Sequence, residues 1–83
     1  GGASASVLVM LSQLEPAFAA SKVTPKTMRF DSKRSELRIQ AAASNFNALD
    51  TFKRQAESQG FTVDQGSINQ EDQQVVGSLT IRS

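Results

Sequence analysis

With no His and no Cys in its 83 residues, the chain's acid–base repertoire rests chiefly on eight carboxylates. They are Glu15, Asp31, Glu36, Asp50, Glu57, Asp64, Glu71 and Asp72. General acid–base catalysis needs such a group held in a water-poor pocket, and these mostly fall where the pattern reads as loop or solvent-facing. Glu71 and Asp72 are adjacent and could loosely hold a hard cation, but too few oxygen ligands surround them for calcium. The solvated-loop reading is the better one. Zinc, copper and iron sites draw on His and Cys, so no transition-metal centre is expected. The glycines stand at positions 1, 2, 60, 66 and 77, which gives neither a dinucleotide fingerprint nor a phosphate loop. No catalytic residue, metal or cofactor is expected. The chain does not read as an enzyme.

Binding chemistry is the alternative. Arg29, Arg38 and Arg82 could form a basic strip on a sheet face, but the net charge is only +1, and nucleic-acid binders depend on a basic excess. RNA-recognition sheets also stack bases on exposed aromatics. Here there is no Tyr or Trp, and Phe30 and Phe61 alternate inward. The strip reads as an ordinary solvated face near Asp31 and Glu36, and no nucleic acid is expected. Two stretches suit a protein partner. Thr27, Met28, Arg29, Phe30 and Asp31 form an edge strand with backbone groups open to pairing, unless Arg29 and Asp31 act as gatekeepers against it. Val7, Leu8, Met10 and Leu11, with Val9, make one helix apolar on more than one side, as in a helix that is deeply buried or covered by a partner.

The elements that position these residues follow from periodicity. Val7, Met10, Leu11, Leu14 and Phe18 recur at helical spacing, with Ser4 or Ser6 as cap; Pro16 is expected to kink the helix or split off its last turn. Met28 and Phe30 face one way along a first strand; Leu37, Ile39, Ala41 and Ala43 face one way along a second, after a polar turn at 31–35. Leu49, Phe52 and Ala56 mark a second helix, capped by Asn45 or Asn47 and stopped at Gly60 with Phe61 folding back. Phe61 and Val63 open a third strand, which Gly66 bends before Ile68; 69–74 reads as a loop. Val75, Gly77, Leu79 and Ile81 alternate inward along the fourth. Helix–strand–strand therefore occurs twice. Two such units bury their apolar faces together as an α+β, permuted ferredoxin-like fold: αββαββ, with two helices on one face of a four-stranded antiparallel sheet. The first and third strands take the edges.

A chain of this length holds one domain, expected over 7–83, with 1–6 reading as a flexible linker or an expression remnant. The longest apolar run, Val7–Leu11, falls far short of the ~20 residues of a membrane-spanning helix.

The segments LSQLEPAFAA, MRFDSKRSELRIQ, FNALDTFKRQAESQGFTVDQGS and VVGSLTIRS resemble, in that order, the C-terminal periplasmic domain of the bacterial type II secretion system L protein. The similarity runs from about Leu8 to the end. It implies the permuted ferredoxin-like fold and a periplasmic position at the inner membrane, with anchoring through a segment absent from this chain. It also implies a scaffold role in the assembly platform, with homodimer formation and pairing with the M protein. The alternatives by pattern are the M protein's own periplasmic domain, a type IV pilus alignment protein, and a small-ligand-sensing regulatory module.

Overall fold

The computed structural model describes the backbone of residues 3–82 and the side chains of residues 8–82. Its elements run α1 (Ala3–Ser21), β1 (Thr24–Asp31), β2 (Glu36–Ala43), α2 (Phe46–Ser58), β3 (Thr62–Glu71) and β4 (Gln74–Arg82). The four strands form one antiparallel sheet in the order β1-β2-β4-β3. This is the αββαββ arrangement expected from the pattern, with β1 and β3 at the edges.

One core joins the halves. Met10, Leu14 and Ala17 from α1 meet Leu49, Phe52 and Ala56 from α2 over Leu37, Ile39, Val75, Leu79 and Ile81 of the central strands. Each fully buried Leu, Ile or Phe adds roughly 1.5–3 kcal/mol of favourable transfer energy. Between the helices the rings of Phe18 and Phe52 lie 4.7 Å apart, tilted by 41°, within the range for favourable aromatic pairs. Gly77 has a packing reason: a Cβ there would sit 3.0 Å from Leu49 Cδ1, so the glycine lets α2 approach β4 closely.

Both ends of α2 are closed by local chemistry. Asn45 is extended, and its Oδ1 accepts from the Ala48 amide at 2.9 Å, satisfying one of the amides that a helix start leaves free. At the other end the Gly60 amide donates to Glu57 and the Phe61 amide to Ala56, with Gly60 at φ +98°. That is a Schellman stop, and buried Phe61 and Ala56 form its apolar contact.

Three expectations are corrected. Helix α1 continues through Pro16 to Ser21, so its last turn is not split off. The proline is solvent-exposed, while the turn beyond it is held by buried Ala17, by Phe18 on Phe52, and by Ser21 Oγ donating to the Ala17 carbonyl at 2.6 Å. Packing outweighs the lost backbone bond. The helical backbone already begins at Ala3, so Ser4 and Ser6 lie within α1 and part of the stretch expected as linker is helical. The expected loop over 69–74 shrinks to Asp72–Gln73, because Asn69, Gln70 and Glu71 pair with Val76, Val75 and Gln74. Polar residues are tolerated there because β3 is an edge strand. The bend at Gly66 is present, as a register shift between Gln65 and Ile68.

Candidate partner-binding surface

Strand β1 is bonded on one side only, to β2. Its start is irregular: Pro25 lacks a donor, and the register shifts between Pro25 and Thr27. From Thr27 opposite Gln40 to Asp31 opposite Glu36 the pairing is unbroken. The regular free edge is therefore the expected stretch, Thr27 to Asp31. Thr27, Arg29 and Asp31 are exposed. Met28 and Phe30 pair with Ile39 and Leu37 and so share the helix-covered side. Phe30 is half-buried against the core, but Met28 keeps 43% of its surface exposed. Its inward direction leads to the uncovered margin of that layer.

The helical candidates divide. Leu8 is 65% and Val9 54% exposed, whereas Met10 is 4% exposed and belongs to the core; a partner surface is not built on Met10. Leu11 is half-buried against the same cluster, and the Val7 side chain lies outside the described residues. Helix α1 and strand β1 are joined by Lys22 and Val23. The large exposed apolar side chains described in this half are therefore Leu8 and Val9 on α1 and Met28 on β1.

The opposite sheet face carries an ionic network that the pattern did not reveal. Glu36, expected to face solvent, is 2% exposed. Its two oxygens accept from Arg38 Nε at 2.8 Å and Arg82 Nε at 2.9 Å, and Arg82 also bonds Asp64 on β3. The long arginine side chains cover the carboxylate while their heads stay in water. The hydrogen bonds from Arg38, then Arg82, hold the Glu36 carboxyl below its usual 4.5, against burial, which acts the other way. The register places Glu36 beside Arg82; only the pairing of β2 with β4, non-local in sequence, could have foretold this. Phe46, the first residue of α2 and 56% exposed, was also missed.

Among the described residues no three His, Cys, Asp or Glu side chains gather as a metal site. No helix is long and apolar enough to cross a membrane. At the end away from Leu8 lies an open recess of about 920 Å³, bordered by Lys22, Thr24, Lys26 and Asp72.

Fold and surface together define a permuted ferredoxin-like module of the kind found in periplasmic secretion domains. The periplasmic domain of XcpY superposes with a TM-score of 0.80 at 22% identity, covering 90% of this chain and 97% of that one. The periplasmic domain of EpsL from Vibrio parahaemolyticus gives 0.78 at 25% identity, covering 99% and 98%. The family model for the GspL periplasmic domain matches residues 6–83, and the chain belongs to that family. Type II secretion system protein L of Vibrio cholerae serotype O1 is 37% identical over 99% of the chain. The protein of the same name from Dickeya chrysanthemi is 33% identical over 74%. The chain spans about one fifth of the first relative's length and less of the second's: 20% and 15%. Family membership places it in the periplasm, as a domain of an inner-membrane-anchored component of the type II secretion system.

Proposed function

We propose that this domain is a non-catalytic pairing module of the secretion system's inner-membrane assembly platform. It associates with a second copy of itself and with the periplasmic domain of the M protein, through the first helix–strand–strand unit. The observation that carries this reading is that one helix–strand–strand unit holds both the exposed Leu8, Val9 and Met28 and a regular strand edge from Thr27 to Asp31 that no other described strand of the chain pairs. An edge supplies backbone hydrogen bonds to an added strand, and the exposed apolar side chains gain by leaving water. The domain's place in a multi-component membrane machine fits such a role. Sedimentation velocity tests it: the chain alone should sediment faster as its concentration rises, and a new species should form on mixing with the M protein's periplasmic domain. A strictly monomeric chain that forms no mixed species would overturn the reading.

A further inference from the structure

On the sheet face away from the helices, Arg29 and Arg38 stand directly opposite each other on β1 and β2. Like charges in that relation repel, so an unliganded face would be expected to hold an acid beside them. Of the neighbouring acids, Glu36 serves Arg38 and none serves Arg29. Asp31 turns to the hairpin, where it accepts from the Lys33 amide at 3.0 Å and lies 3.8 Å from Arg34. Both oxygens of Glu36 are taken, by Arg38 Nε and Arg82 Nε, and Asp64 is bonded to Arg82. Among the described residues Arg29 has no carboxylate within ion-pair distance, and Arg38 engages its acid through Nε.

These two arginines border a shallow depression of about 430 Å³, which also takes in Thr27, Gln40 and Ser78. The polar side chains around it can all donate hydrogen bonds, and no acidic side chain lines it. Gly66 lies against Ser78, where a Cβ would stand 3.4 Å from the Ser78 Cβ, so no side chain from that position rises over the floor.

We propose that this depression binds a carboxylate side chain presented by an acidic, extended segment of a partner protein, which lies across the open sheet face. Guanidinium groups match carboxylates in bidentate geometry. The neutral donors Gln40 and Ser78 extend the site beyond one charge, as a peptide requires. A concave recess on a sheet suits an inserted side chain better than the surface of a bilayer. The site shares Thr27 and Arg29 with the pairing strand proposed above, but uses their side chains on the open sheet face and not the strand's free backbone edge.

The test is an NMR titration of the isotope-labelled 83-residue chain with a capped hexapeptide alternating Glu and Ser. A Gln–Ser peptide, inorganic phosphate and phosphatidylglycerol vesicles serve as separate arms. Each arm is repeated in the Leu8→Glu variant, whose substitution lies outside the depression, so that loss of self-association does not bear on the result. The Glu peptide should shift the amides of Thr27 to Arg29, Arg38 to Gln40 and Ser78, and the Arg29 and Arg38 Nε–H signals. The Gln peptide should not. Arg29→Gln should raise the Kd on the order of tenfold, and Arg29→Lys should restore binding only in part. Shifts elsewhere, or binding unaffected by Arg29→Gln, would overturn the proposal. So would phosphate reproducing the peptide's shifts at equal concentration, or vesicles binding through Arg29 while the peptide is inert.

Discussion

The two halves of the molecule share an architecture and differ in what they leave uncovered. Helix α1 has one charged residue, Glu15, in nineteen; α2 has four, Asp50, Lys53, Arg54 and Glu57, in thirteen. The second helix buries the single stripe Leu49, Phe52 and Ala56 and turns an ordinary polar face to water, with Arg54 paired to Asp50. The first buries Met10, Leu14 and Ala17 and still exposes Leu8 and Val9. The edge strands differ in the same sense. Strand β3 is interrupted near its middle, between Gln65 and Ile68, whereas β1 is regular from Thr27 onward. One half is finished as a surface; the other leaves apolar side chains and a regular strand edge exposed.

The core should not share this asymmetry. Phe52→Ala is expected to cost about 3–5 kcal/mol and Leu14→Ala about 2–5 kcal/mol in urea unfolding, because both side chains are fully buried in one cluster. Two separate unfolding transitions would show instead that the halves fold independently.

Association should follow the asymmetry. Leu8→Glu or Met28→Glu is expected to weaken self-association at least about tenfold, some 1.4 kcal/mol. Stability should stay within about 0.5 kcal/mol, as is usual at exposed positions. Phe46→Glu, the matched change in the second half, should leave sedimentation equilibrium unaltered. An equal loss in all three variants would remove the distinction between the halves.

The remaining effects are smaller. Asn45→Ala should cost about 1 kcal/mol through the lost cap, read from the urea midpoint. Glu36 has its pKa lowered on folding, so its stabilising share is complete above the ordinary value of 4.5. That share fades as pH falls below 4.5 and through the depressed folded value. Thermal melts of Glu36→Gln should lack that part of the acid slope; an identical slope would mean that the arginines contribute nothing through this carboxylate.

Local patterns carried much of this fold. Alternation along Leu37–Ala43 and Val75–Ile81 was legible, as were the stripe of α2, its Gly60 stop and the bend at Gly66; the cap of α2 was narrowed to Asn45 or Asn47, and Asn45 fills it. Each rests on chemistry within a few residues. What escaped depended on contacts remote in sequence. Pro16 is tolerated because Phe18 meets Phe52; Glu36 is buried because Arg82 arrives from the far end of the chain. Of the candidate surface, the strand stretch Thr27–Asp31 emerged as a free edge. Met10 did not emerge with it, since helical periodicity cannot say which apolar flank of α1 meets the sheet.

The most direct test of the partner surface is an NMR dilution series on the unmodified chain, following amide shifts from low to high concentration. The account predicts that concentration-dependent shifts concentrate at the start of α1 and along Thr27–Asp31, leaving α2 and β3 unchanged. Shifts centred on Phe46 or β3, or none at concentrations where the chain sediments as a dimer, would contradict it.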